Sequence, residues 1–195
     1  MLDKSVPYAG LYMHRAPGTP LSSFPLPDGY RFAFFSDGSE ADWARIETSV
    51  LEFSSEFAAL MHFTEKFMPY PDELRRRCLF VENSDGRKIA TSTAWWSDVQ
   101  GQRRPWLHWV ACDPAYQGLG LGKAIVSRIT ELMLELDGDA DFYLHTQTWS
   151  YKAISIYTLN GFQPLYEKAL YTEEGDNYRK ALRILRRLER KRQQT

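Results

Sequence analysis

The 195-residue chain is 44% apolar and 25% charged, enough for one domain with a sizeable core and too short for two ordinary ones. No apolar stretch nears the roughly 18 residues of a membrane span, and no basic-then-apolar leader opens the chain, so a cytoplasmic protein is expected. The net charge of −1 divides into −8 before residue 178 and +7 from there on, so the body lacks the clustered cations that nucleic acid demands.

Residues 1–29 hold five of the ten prolines and read as an extended arm, in which Tyr8 to Met13 can add a short strand at a sheet edge. Tyr30 to Phe35 reads as a strand ended by Asp37-Gly38. Ser39 then reads as the N-cap of a helix with Trp43, Ile46 and Val50 on one face. A second helix follows Ser54 or Ser55, carrying Phe57, Leu60, Met61, Thr64 and Phe67 or Met68 until Pro69 and Pro71 stop it. Cys78 to Glu82 and Lys88 to Trp96 are strands joined by a turn at Asn83 to Gly86, and Ile89, Thr91, Thr93 and Trp95 share a face. A polar loop, SDVQGQRRP, leads to a strand over Trp106 to Cys112. A glycine-rich loop and a helix to about Leu136 follow, then a strand over Phe142 to Gln147. Ser150 caps a helix reaching Asn160, with Gly161 as its C-cap, and the last strands fall around Phe162 to Tyr171. The basic end, 178–195, has Leu182, Leu185 and Leu188 on one side. It is either a helix that docks to a partner helix, ribosomal RNA or a second subunit of a homodimer, or a solvated tail. Helices, antiparallel strands and two strand-to-helix units in this order predict a three-layer mixed α/β domain over 30–177.

DPAYQGLGLGKAI, residues 113–125, has the look of a phosphate cradle. The P-loop template fails because only three residues separate Gly118 from Gly122, and Ala124 replaces the required hydroxyl. The dinucleotide template fails because Lys123 or Ile125 falls where its last glycine belongs. Gln/Arg-x-x-Gly-x-Gly/Ala is satisfied throughout by Gln117, Gly118, Leu119, Gly120, Leu121 and Gly122. Small residues there let backbone approach a pyrophosphate at a helix N-terminus, with the Lys123 cation nearby. Cys78 and Cys112 belong to no metal-spaced cluster and read as reduced thiols.

Val110-Ala111-Cys112-Asp113-Pro114, the 117–122 loop, and Ala153 to Phe162 with Tyr157 and Gly161 together resemble the GNAT superfamily of acetyl-CoA-dependent N-acetyltransferases. The resemblance implies a mixed, mostly antiparallel sheet, splayed at its centre, with helices on both faces. It implies acetyl-CoA as co-substrate without a metal: the backbone of Val110 and Cys112 pairs with the pantetheine arm, and the Cys112 amide polarises the thioester. Ser150 stands where many members place an asparagine that contacts the cofactor. Tyr157 stands at the family's tyrosine position, which protonates the departing thiolate. LHWVACDP also resembles the serotonin N-acetyltransferases, where a histidine at the position of His108 handles the amine proton through water. Strand alternation places His108, Val110 and Cys112 on one face, and His145 is a second choice as base. Glu47, Glu52 and Glu56 fall where the family builds its acceptor pocket and either bind a cationic amine or are solvated. The expected acceptor is the primary amine of a small molecule. A peptide amine, or an acyl-CoA sensor without catalysis, are the other readings.

Overall fold

The computed structural model describes residues 2–166 and 177–193. Strands β1 (Gly10–Arg15) and β2 (Arg31–Phe34) precede helices α1 (Ser39–Ser49), α2 (Glu56–Lys66) and α3 (Pro71–Arg77). Strands β3 (Cys78–Glu82), β4 (Lys88–Val99) and β5 (Gln102–Cys112) follow, then α4 (Leu121–Asp137), β6 (Phe142–Gln147), α5 (Tyr151–Leu159), β7 (Gln163–Leu165) and α6 (Asn177–Gln193). One seven-stranded sheet runs in the order β2-β3-β4-β5-β6-β1-β7, antiparallel except where β5 meets β6. That parallel pair touches in register only at Trp106 and Tyr143, and beyond it the sheet parts.

Alternation on β3 shows how the two cores arise. Leu79 and Val81 join Ile125, Ile129 and Met133 of α4 on one side, while Cys78 and Phe80 join Trp43, Phe63 and Leu74 of α1, α2 and α3 on the other. Helices α4, α5 and α6 thus cover one face and α1, α2 and α3 the opposite one, the three-layer arrangement expected from the element order.

The helix starts are locally encoded. Ser55 caps α2, its Oγ accepting from the Ala58 amide at 3.2 Å. Ser55→Ala is expected to lower stability by about 1 kcal/mol in urea unfolding, with the acetyl-CoA dissociation constant unmoved. Ser39 is not the cap of α1. It is the first helical residue, bonded to Ser36, and Gly38 at φ 95° occupies the cap position. Helix α3 has no counterpart in the sequence reading, because Pro71 opens a helix as well as ending one. Its acids, Asp72 and Glu73, occupy the first turn and its arginines the last, as the helix dipole favours. Arg77 is buried and bridges elements, reaching Glu73 at 2.6 Å, Asp137 of α4 at 2.8 Å and the Ala94 carbonyl at 3.2 Å.

The arm differs from expectation in its place. β1 is no edge strand: it pairs with β6 on one side and β7 on the other, so residues of the arm lie inside the sheet. The expected polar loop before Trp106 is instead the tip of the β4–β5 hairpin. Its two-residue turn, Gln100-Gly101, takes left-handed φ values of 54° and 74°, which match the twist of the strands. Arg103 stacks 3.5 Å over the Trp96 ring, so a polar-looking stretch still forms strand. The basic end is helical, with Tyr178, Ala181, Ile184 and Leu185 against the core and Leu188 in a groove with α5. Residues 167–171 of the expected last strands lie outside the described residues.

Candidate active site

Past the point where β5 and β6 part, a cavity of about 470 Å³ opens between the end of β5 and the start of α5. One wall is the end of β5, Val110 to Cys112; another is the first turn of α5 with Ser150, Lys152, Ala153 and Ile156. Gln117, Gly118 and Gly122 close the end nearest α4. Val50, Glu52 and residues 2–4 of the arm close the other.

The strand edge presents a free donor. The Asp113 amide bonds the Ile89 carbonyl of β4 at 2.8 Å, so alternation turns the Cys112 amide and carbonyl the other way, toward the gap. Gln117 Nε2 donates to that Cys112 carbonyl at 2.9 Å, which leaves the Cys112 N–H as the group on offer. Burial and the Asp113 charge push the Cys112 thiol up to about 11, so the side chain is a neutral thiol and no nucleophile.

The glycines serve two ends. Gly118 and Gly120 sit at φ 86° and 87°, left-handed conformations that a side chain resists. Gly120 is the N-cap position of the 17-residue α4 and accepts no side-chain cap, so the first amides of the helix stay open to a ligand. Gly122 is needed for closeness, because a Cβ there would meet Ile156 Cδ1 of α5 at 3.2 Å. Of the remaining loop residues, Leu119 is half exposed and Leu121 is buried in the core, so these contribute backbone only. Lys123 does not turn into the cavity: its Nζ lies 5.9 Å from the Phe24 ring of the arm. Ser150 lines the cavity but makes no capping bond to α5, contrary to the expected cap.

Tyr157 lies on α5, one residue beyond Ile156, and is 7% exposed within the core under that wall. Its hydroxyl has no hydrogen-bond partner among the described residues. Burial, then the charges of Glu47 and Glu52, push the phenol above its usual range.

His108 overturns the shared-face expectation. In β5, Trp109 has φ 52° and one extra residue opposes β4: Thr93 pairs with His108, and Thr91 with Ala111. His108 therefore faces the same way as Ala111, toward α1 and α2, while Val110 and Cys112 face α4. His108 Nε2 lies 3.3 Å from Ser97 Oγ, and burial drives its pKa down to about 4, leaving a neutral imidazole. The bulge is held by rings, Trp109 meeting Trp43 at 5.5 Å, Phe53 at 5.1 Å and His62 at 4.9 Å. His145 packs on Tyr12 of β1 at 4.6 Å and does not line the cavity.

The three glutamates separate. Glu47 on α1 is 1% exposed, Glu52 lines the cavity, and Glu56 at the start of α2 is exposed. The sequence reading had no signal for the arm's part in the site. The Leu2 amide donates to the Val50 carbonyl at 3.3 Å and the Asp3 amide to the Trp149 carbonyl at 2.9 Å, so residues 2–3 bridge the cavity's two walls. Lys4 Nζ lies 5.5 Å from the Trp149 ring. Among the described residues, no group of three or more His, Cys, Asp or Glu is placed to hold a metal, and no helix is long and apolar enough to cross a membrane.

Residues 42–162 match the family model described as Acetyltransferase (GNAT) family. No curated protein matches the chain. Among solved structures it is similar to a GCN5-related N-acetyltransferase from Sphaerobacter thermophilus, at 18% identity and TM-score 0.64, over 82% of this chain and 49% of that one. An acetyltransferase from the GNAT family of Colwellia psychrerythraea matches at 13% identity and TM-score 0.60, over 84% and 55%. A tandem GNAT protein from the clavulanic acid biosynthesis pathway matches at 15% identity and TM-score 0.59, over 84% and 52%. The chain spans about half the length of these three structures.

Proposed function

The chain belongs to the GNAT acetyltransferase family, and from that premise we propose that it moves the acetyl group of acetyl-CoA directly to the primary amine of a small molecule. The observation that carries this reading is the cavity in the parted sheet, which joins an open helix N-terminus at Gly120 to the free Cys112 amide. The residues suit acetyl-CoA: the open amides at the start of α4 receive its pyrophosphate, Lys152 adds a cation, and the edge of β5 from Val110 pairs its extended arm. Bound there, acetyl-CoA supplies an activated acyl carbon.

This chain's groups do the rest. The Cys112 N–H is the donor for the oxyanion that develops when an amine attacks, and holding both partners in one cavity supplies the orientation. Tyr157 keeps its proton through neutral pH and delivers it to the thiolate. His108, a neutral imidazole on the α1 and α2 side of β5, does not line the cavity, so any part it takes in handling the amine proton runs through water. The arm's bridge from Val50 to Trp149 narrows the mouth of the cavity, which favours a small acceptor over a polypeptide.

A CoA-thiol release screen over polyamines, arylalkylamines, amino acids, aminoglycosides and peptides tests the reading. Turnover with a small amine is expected; turnover with peptides alone would replace the acceptor class, and silence in all arms would remove the activity. Gly120→Val should raise the acetyl-CoA dissociation constant at least about tenfold, the loss of one strong anion contact of 1.4 kcal/mol or more. Calorimetric titration checks this, and unchanged affinity would take the loop out of the site.

A further inference from the structure

The start of the arm is fastened to the cavity unevenly, and the unevenness divides a fixed part from a part that can lift. Thr148, fully buried, anchors the inner part. Its Oγ1 donates to the Pro7 carbonyl at 2.6 Å and accepts from the Ala9 amide at 3.0 Å, and its own amide donates to the Ala9 carbonyl at 2.9 Å. Ala9 then runs straight into β1, which is paired on both sides, so this point cannot move without the sheet.

Residues 2–6 lie beyond that anchor. A turn at Asp3 folds them over Trp149: the Asp3 carboxylate accepts from the Ser5 amide at 3.1 Å, and the Asp3 carbonyl from the Val6 amide at 3.2 Å. Trp149 then aims the turn across the gap. Its Nε1 donates to the Val6 carbonyl at 2.7 Å, and its carbonyl accepts from the Asp3 amide at 2.9 Å. Its ring meets Tyr8 edge-on at 5.0 Å and Lys4 Nζ at 5.5 Å. On the opposite wall, among the described residues, one hydrogen bond holds the strap, from the Leu2 amide to the Val50 carbonyl at 3.3 Å. A short segment tied down by a single long bond is the first to open locally.

We propose that residues 2–6 are a gate over the acceptor end of the cavity, lifting from Val50 to admit the amine and reseating over it. Trp149 is the positioning residue that sets the gate, and through it the size of acceptor the protein takes. The inference rests on the acetyl-transfer reading and deepens it by narrowing the acceptor class. With acetyl-CoA along the edge of β5 and its pyrophosphate at α4, the end left to the acceptor is the one that Leu2, Asp3 and Lys4 line. A compact amine fits wholly beneath the reseated strap. An amine still attached to a polypeptide holds the strap off Val50, and the site stays open to water when the thioester should be shielded.

Two variants and two readouts test the gate. Trp149→Phe keeps a ring beside Tyr8 and Lys4 and removes the N–H that holds Val6; Trp149→Ala removes both. In the protein alone, amide hydrogen exchange followed by NMR should run about fivefold faster at Asp3 in Trp149→Phe, and faster again in Trp149→Ala, with the Ala9 amide unchanged. With acetyl-CoA, kcat/KM for a lysine-bearing peptide relative to 2-phenylethylamine should rise at least about tenfold in Trp149→Ala and by less in Trp149→Phe. A merely structural role would lower both acceptors together and leave their ratio unmoved. Equal protection of Asp3 in parent and variants, or an unmoved ratio once Asp3 is released, overturns the proposal. So does a parent protein that takes the peptide as readily as the small amine. A parent that binds acetyl-CoA and releases no CoA with any amine overturns instead the acetyl-transfer reading, while the exchange rates still report whether Trp149 holds the strap.

Discussion

Tyr157→Phe is expected to lower kcat about 10²- to 10³-fold while changing acetyl-CoA affinity by no more than about twofold. The substitution removes one oxygen from a residue that is 7% exposed, behind a cavity wall made by Ala153 and Ile156 of its own helix. Because the hydroxyl has no bonding partner among the described residues, its loss leaves no polar group stranded, and the melting temperature should stay within a degree or two. The thiolate of CoA is the natural recipient of its proton. A free thiol titrates near about 8.5, and the burial that raises the phenol also raises the thiolate's appetite for a proton. Measured by CoA release at saturating substrates, with pre-steady-state kinetics to confirm that chemistry limits, an unchanged kcat would remove Tyr157 as the acid. A fall that comes with a large loss of affinity would make it a binding residue.

The largest effect on stability should come from Trp43→Ala, a loss of about 4 kcal/mol and about 8–16 °C in melting temperature. Trp43 is fully buried on α1 and meets Phe53 at 5.8 Å, Phe63 at 5.1 Å, Phe67 at 6.1 Å and Trp109 at 5.5 Å. It is the hub of the layer between α1, α2 and β5, and an interior packed this closely collapses only in part around a lost ring. Its Nε1 has no hydrogen-bond partner among the described residues, so Trp43→Phe should cost much less than the alanine. Urea and thermal unfolding check both. If the alanine variant lies within about 1 kcal/mol of the parent, the ring cluster is not what holds α1 to the sheet. The same variant frees Trp109, whose φ of 52° costs about 1–3 kcal/mol unless its surroundings hold it. A relaxed bulge should also weaken acetyl-CoA binding by moving Cys112.

Local rules carried the reading where local physics decides. The glycine spacing at 118–122 and the long apolar stripe behind it have one good solution, an open helix N-terminus, and the structure has α4 there. Ser55 as a cap is the same kind of fact. The errors arise where distant residues choose. Nothing in LHWVACDP marks Trp109 as the extra residue; rings from α1 and α2 select it, and one inserted residue reverses the facing of all that precedes it. That is why the pattern of alternation put His108 beside Cys112, and the fold puts it behind. The candidate glutamates were legible as a group of three, but only tertiary burial divides Glu47, Glu52 and Glu56 into a hidden, a cavity-lining and a solvated acid. Pro71 was ambiguous by nature, since proline both ends and begins helices.

The position of β1 bears on how the chain reaches this state. Half of the parted sheet, β6-β1-β7, is assembled from segments at opposite ends of the sequence. His14 of β1 bonds Asp141, next to β6, across 127 positions. Such a closure comes late, because its loop entropy must be met before the pairing rewards it. During synthesis the β1 segment waits unpaired while β2 to β5 and their helices emerge and can pack. Its apolar residues, Leu11 and Met13, then have no cover. The half of the molecule that completes the cavity is thus the last to form, and a chain halted before residue 142 should hold the loop at 117–122 yet have no cleft for a thioester.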